Sequence, residues 1–412
     1  MKCQAYEGIS PVTLTTFPRA NPIRRIAATV TGALAAVLLS AGTFPAHAAP
    51  SEGRIVGAGA PEAVRGSYIV TLRPGRAAAR TLTGTYGGRV EETYRTALNG
   101  YALKATAAQA RRLAADPAVA SVAQDTTVTV ADTERHPPSW GLDRIDQPDL
   151  PLDSSYTYPR DGGAGANIYV IDTGVRISHQ EFGGRASYGW DFVDDDATAD
   201  DGNGHGTHVA GTAAGRSYGV AKQAHITAVR VLDDQGAGTT AQVIAGIDWV
   251  ARHASRPAVA NLSLGGTVSP QLDTAVRNAI ASGVTFAVAA GNDGLAAGFS
   301  SPARVSEAIT VAASDRNDTR ASFSNWGPLV DLFAPGVDIT SSFNSSDTAK
   351  KTYSGTSMAT PHVTGAAALY LARHQSATPA QVASALIDVS AKNRVSDPGL
   401  LTPNQLLQVP GD

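Results

Sequence analysis

Short runs of alternating apolar and polar residues characterise positions 67–130, whereas almost wholly apolar runs and helix-like spacing take over from about Trp140. Residues 67–72 (SYIVTL) alternate as a half-buried strand, and 87–94 and 98–105 predict two more strands joined by a short turn. Residues 106–116 (TAAQARRLAAD) have helical composition, with Thr106 placed to cap the first turn, and 119–130 return to strand. With a further helix expected over 76–85, the order is βαββαβ, that of a small ferredoxin-like α+β unit.

In the second part, 167–171 (NIYVI), 226–232, 259–264 and 284–290 are short, rich in β-branched residues and apolar throughout. Strands buried on both faces of a parallel sheet have this character. Residues 240–253, 270–282 and 357–373 carry apolar side chains at helical spacing. The alternation predicts an α/β fold with a mostly parallel sheet covered by helices. In such sheets the chemistry gathers at the carboxyl ends of the strands. No internal repeat or low-complexity tract interrupts the pattern.

Composition narrows the class. The 412 residues are 43% hydrophobic and 17% charged, enough for one large core plus a smaller unit. The net charge of −3 hides an asymmetry: residues 1–130 hold 14 Lys and Arg against 7 Asp and Glu, and residues 131–412 hold 19 against 29. A basic front section and an acidic body suggest two parts that attract each other rather than a nucleic-acid partner.

Arg19, Arg24 and Arg25 precede an apolar run over 26–39, and Ala46-His47-Ala48 forms an A-x-A cleavage site. Residues 1–48 therefore read as a secretory signal peptide. The run is shorter than the about 20 residues of a membrane span, and no second run of that length follows. A secreted, extracellular protein with no membrane anchor in its mature form is expected. Cys3, the single cysteine, lies in the part that is removed, so the mature chain has no disulfide.

Three polar residues stand at ends of the second set of elements. Asp172 closes the strand in YVIDTG, His205 lies between glycines in GNGHGTHVAG, and Ser357 opens a helix in SGTSMATPHVTG, with Pro361 expected in its first turn. Each alone has a plain structural explanation: a capping Asp, a core His, a capping Ser. Together they supply what a weak hydroxyl nucleophile needs, a base to take its proton and a carboxylate to orient that base. His205 and His208 could also suggest a zinc hydrolase, but no HExxH glutamate accompanies them. An esterase of the α/β-hydrolase type would need G-x-S-x-G, and Ala359 fills the last glycine position.

At these motifs the sequence resembles the subtilisin-like serine proteases, specifically the proteinase K-like branch. VIDTG, GHGTHVAG and GTSMATPH match the three signature segments in the order Asp, His, Ser, and YGVAK, VRVLDD, AAGND and SFSNWG add further matches. The resemblance implies a three-layer αβα catalytic domain over 131–412. Before it comes an inhibitory propeptide over 49–130, with its ferredoxin-like core at 67–130. It assigns Asp172, His205 and Ser357 to the triad and gives Asn292 the task of holding the oxyanion.

By the same resemblance, Ser263, Leu264 and Gly265 form one wall of the specificity pocket, Ala289, Ala290 and Gly291 the other, and Gly236, Ala237 and Gly238 an opposing strand. Both pocket walls are small or apolar and nothing acidic is offered to a basic side chain. Cleavage after apolar or aromatic residues of polypeptides is expected, with broad tolerance. The propeptide is expected to act as an intramolecular inhibitor, cut near Val130-Ala131, and the mature enzyme to be a monomer.

No cofactor is expected for catalysis. Structural calcium is expected, because Asp143, Asp146 and Gln147, with Ser155, resemble one calcium loop. Asp191 and Asp196 resemble a second, and Asp331, with carbonyls near Ser306 and Ala308, a third. Where family members carry cysteines near the histidine and in the following loop, this chain has Asp201 and Asp234.

Overall fold

The computed structural model describes residues 52–59, 63–74, 79–94, 99–126 and 131–409. The expected signal peptide and residues 127–130, where the propeptide cut is expected, lie outside these. The N-terminal part contains β1 (Ile55–Val56), β2 (Ala63–Leu72), α1 (Ala79–Tyr86), β3 (Arg89–Tyr94), β4 (Gly100–Lys104), α2 (Ala107–Ala114) and β5 (Val119–Thr126). Their sheet order is β1-β5-β2-β4-β3, antiparallel except where β1 joins β5. Without β1 this is the expected ferredoxin-like arrangement. Thr106 caps α2 reciprocally with Gln109. Strand β3 starts later than the sequence suggests, because Gly87 and Gly88 take φ of 82° and 95°.

From residue 131 the elements are β6 (Ala131–Arg135), α3 (Trp140–Ile145), β7 (Ser155–Pro159), β8 (Asn167–Asp172), β9 (Ala186–Asp191), α4 (His205–Ala214) and β10 (His225–Arg230). Next come α5 (Thr240–His253), β11 (Ala258–Leu262), β12 (Gly266–Thr267), α6 (Pro270–Ala281), β13 (Thr285–Ala289), β14 (Ser300–Ser301), β15 (Ile309–Ser314) and β16 (Leu332–Pro335). The chain finishes with β17 (Ile339–Ser342), β18 (Lys350–Tyr353), α7 (Thr356–Arg373), α8 (Pro379–Val389), β19 (Ala391–Lys392) and β20 (Gln405–Leu406). Nine strands form one sheet in the order β19-β20-β16-β15-β13-β11-β8-β10-β9. Every pairing is parallel except β19 with β20.

Strand β8 shows why these runs are apolar at every position. Ile168 and Val170 pack on one face with Val209 of α4 and Val363 of α7. Tyr169 and Ile171 pack on the other with Val250 of α5 and Val276 of α6. The result is three layers, with the sheet in the middle.

One expectation changes. Helix α7 begins at Thr356, so Pro361 lies inside it rather than in the first turn. A proline offers no N–H to the carbonyl four residues earlier, here that of Ser357. Ser263 Oγ donates to that carbonyl instead, at 2.8 Å.

Candidate active site

Two missing side chains bring the first pair of polar residues together. A Cβ on Gly174, just beyond Asp172, would lie 2.3 Å from the Asp200 carbonyl, and one on Gly206 would lie 2.1 Å from the Gly174 carbonyl. The first turn of α4 can therefore sit directly on the end of β8. His205 Nδ1 donates to Asp172 Oδ1 at 2.7 Å. Asp172 is fully buried, and the His205 side chain is 25% exposed. Burial disfavours a charged imidazole, but the charge and hydrogen bond of Asp172 outweigh it and hold His205 above its ordinary 6.5.

The start of α4 is fixed by Asp201, which the sequence reading did not place at the site. Its buried carboxylate accepts from Gly204 N (2.7 Å), Thr207 N (2.8 Å) and Thr173 Oγ1 (2.8 Å). Asp201 thus caps the helix and ties it to the end of β8. The residue that faces Asp234 is Gly202, where an added Cβ would lie 2.0 Å from Asp234 Oδ1.

Ser357 is the second residue of α7. Beside it, Asn292 Oδ1 accepts from Thr356 N at 2.8 Å and Thr356 Oγ1 at 2.9 Å. That leaves the amide nitrogen to point elsewhere. A Cβ built on Gly355 would lie 3.6 Å from Asn292 Nδ2 and 3.7 Å from Ser357 N, so two N–H donors flank one small volume next to the hydroxyl. Ser357 Oγ itself donates to the Ser263 carbonyl at 3.0 Å.

A groove of about 520 Å³ runs past His205 between the segments 236–238 and 263–265. All six of those residues line it. Asn203, Gln235 and Thr239 line it as well, and nothing in local pattern marks them, since tertiary packing alone brings them there. A second cavity of about 250 Å³ opens beside Ser357, lined by Leu264, Gly265, Ala289, Gly291 and Asn292.

Two expectations about this cavity are corrected. Ala290 is wholly buried in a separate apolar cluster and does not line it. Asp293, three positions further along and exposed, does line it, together with Ser300, in a pocket expected to hold nothing acidic.

His208 does not join His205 as a metal ligand pair would. Its Nε2 faces the carbonyls of Ile339 (3.0 Å) and Lys351 (3.1 Å), and burial lowers it to about 4. Among the described residues no three His, Cys, Asp or Glu side chains gather as a metal cluster. The acidic residues considered for calcium differ in their surroundings. Asp191 is paired with Arg230 at 2.6 Å, and Arg230 also meets Asp194 and Asp234. Asp196 accepts from Thr198 N.

Asp331 accepts from Thr310 N and is raised by burial to about 6. Asp143 accepts from the amides of Asp153 and Ser154, and Gln147 Oε1 accepts from Asp153 N. Asp146 is raised to about 6 by burial and by its neighbours Asp153 and Asp143. Its Oδ1 is buried with no hydrogen-bond partner. That orphaned oxygen in a crowded acidic loop suits a hard cation.

A His–carboxylate pair, a hydroxyl at a helix start and two N–H groups near one small volume, at the carboxyl edge of a parallel sheet, are the kinds of parts a serine hydrolase uses. Residues 163–403 match the subtilase family, and residues 67–131 match the peptidase inhibitor I9 family. The chain belongs to the subtilase family and is a subtilisin-like serine protease preceded by an inhibitor-type propeptide domain. It is 49% identical over 398 residues to the extracellular serine proteinase of Thermus sp. (strain Rt41A), covering 91% of this chain and 97% of that protein. It is 49% identical over 321 residues to alkaline serine exoprotease A of Vibrio alginolyticus, covering 77% and 60%. A crystal structure of a cold adapted subtilisin-like serine proteinase superposes with a TM-score of 0.65 at 55% identity, covering 66% of this chain and 98% of that one.

Proposed function

We propose that the protein is a secreted endopeptidase in which Ser357 attacks the scissile carbonyl carbon, with His205 as base and Asp172 as its orienting partner. The observation that carries this reading is the 2.7 Å contact between His205 and buried Asp172, in a groove that shares Leu264 and Gly265 with the cavity holding Ser357 and Asn292. As the Ser357 oxygen bonds to the carbonyl carbon, His205 Nε2 takes its proton. The carbonyl oxygen gains the negative charge and rests between the two N–H donors. Collapse breaks the C–N bond, and His205 returns the proton to the departing amine. Water repeats the sequence on the acyl-enzyme and frees Ser357.

The groove supports binding of an extended chain, since the segments 236–238 and 263–265 expose backbone that a substrate strand can pair with. The small, apolar cavity walls favour apolar or aromatic side chains before the cut, and Asp293 extends the range to Lys and Arg. The I9-type domain supports synthesis as a zymogen processed by its own active site near residues 130 and 131. A calcium ion held near Asp143, Asp146 and Gln147 would neutralise that acidic loop. Secretion is supported by the leader-like residues 1–48. No helix among the described residues is long and apolar enough to cross a membrane.

Incubation with denatured casein, with and without a serine-directed phosphonyl reagent, tests the reading through mass spectrometry of the products. Cleavage abolished by the reagent and by Ser357→Ala is expected. Cleavage that persists in both refutes it. Expressed in a protease-free host, Ser357→Ala should also keep its propeptide attached.

A further inference from the structure

Asn261 is a polar residue at the centre of the sheet, within an otherwise apolar strand. It stands in register with Val170 on one side and Ala287 on the other, and it is fully buried. Every polar atom of its side chain that is placed has a use. Its Nδ2 donates to Ser263 Oγ at 2.9 Å and its Oδ1 accepts from Thr364 Oγ1 at 2.8 Å. Ser263 Oγ passes the chain on to the Ser357 carbonyl at 2.8 Å, and Ser357 Oγ returns to the Ser263 carbonyl at 3.0 Å.

This chain of bonds meets α7 where the helix cannot hold itself. The Ser357 carbonyl has lost its regular donor because Pro361 lacks an N–H. Without a substitute it would be an unsatisfied acceptor in a buried place, which folded proteins avoid. Ser263 supplies the substitute, and Asn261 fixes the direction of that hydroxyl by donating to it. We propose that Asn261 and Ser263 are positioning residues for the nucleophile: the bond from Ser263 Oγ replaces the one Pro361 cannot make and sets the first turn of α7, and with it Ser357, against Asn292 and His205. The segment 261–265 then has two tasks, one wall of the groove and a brace for the hydroxyl that reacts.

The proposal rests on Ser357 being the nucleophile, and the test separates the two. Ser263→Ala removes the bracing hydroxyl and keeps the groove backbone. We expect kcat on a short blocked peptide anilide to fall roughly tenfold, the scale of one well-placed hydrogen bond, with KM within about twofold. The rate of inactivation by a phosphonyl fluoride should fall in parallel, and the acid limb of the pH profile should stay in place.

Ser263→Thr, which keeps a hydroxyl, should retain most of the rate. Adding Pro361→Ala to Ser263→Ala gives the Ser357 carbonyl an N–H again and should restore kcat to within about threefold of the Pro361→Ala single variant, which a mere loss of packing would not allow. A loss in Ser263→Ala confined to KM, or additive losses in the double variant, overturns the proposal while leaving the peptidase reading intact. Retained activity in Ser357→Ala overturns both. Thermal melts of each variant confirm that the comparison is between folded enzymes.

Discussion

The carboxylate of Glu134 lies 2.8 Å from the ammonium of Lys222, whose side chain is only 6% exposed and sits over the rings of Tyr156 and Tyr158 at 5.4 and 5.5 Å. The pair fastens β6 to the segment that follows α4. Burial pulls Lys222 below its ordinary value even with Glu134 beside it. Glu134→Gln leaves a buried cation without its partner and is expected to cost about 2 kcal/mol, less than for a fully buried pair because Glu134 is partly exposed. Denaturant unfolding measures this, and Lys222→Met in the same chain should recover most of the loss.

The raised His205 fixes the direction of the pH dependence. Attack needs a neutral imidazole, so kcat/KM is expected to fall as the pH drops through a value above 6.5. Asp172→Asn removes the charge that raises it, which moves this limb to lower pH while cutting kcat by about 10⁴-fold, as for a mis-set tautomer. For stability the sign is opposite. The Asp172–His205 contribution is fully present below the unfolded pKa and is lost as the pH rises through the higher folded one. Calorimetric melts across this range, compared between the native chain and His205→Ala, read it directly.

Asp293 makes a specificity prediction. Asp293 is exposed and lines the 250 Å³ cavity, where its charge is expected to favour a cationic side chain before the cut by a modest, salt-screened amount. Asp293→Asn should lower kcat/KM for a Lys substrate roughly threefold to tenfold and change a Phe substrate less than twofold. The gap should shrink at about 1 M salt. Equal effects on both substrates would show that the carboxylate does not face the bound side chain.

The acidic loop around Asp146 links calcium to pH. A carboxyl raised to about 6 holds a proton in the folded chain that the unfolded chain has released. Without a divalent ion, stability is therefore expected to fall as the pH rises between about 4 and 6. Calcium should remove that fall, and EDTA should lower the melting temperature at neutral pH. Asp146→Asn should blunt the EDTA effect, and no response to EDTA at neutral pH would refute the site.

Much of the fold is legible in the sequence. Period-two runs and wholly apolar runs separate the two kinds of sheet, because a strand with one face in water must alternate and a strand covered on both faces cannot. Asp172, His205 and Asn292 stand out in the sequence since each lies next to or one residue from a glycine that permits close packing, and Ser357 stands out at the start of its helix. Other features depend on contacts between residues far apart in the chain. Asp293 lines the pocket and Ala290 does not, Asp191 is paired with Arg230 from another strand, and Pro361 is accommodated inside α7 by a hydroxyl 98 positions earlier in the sequence. Periodicity and local spacing report how a segment meets its surroundings in general. Which particular atom satisfies a buried carbonyl or carboxylate is decided only when the sheet closes and brings those distant partners within hydrogen-bonding reach.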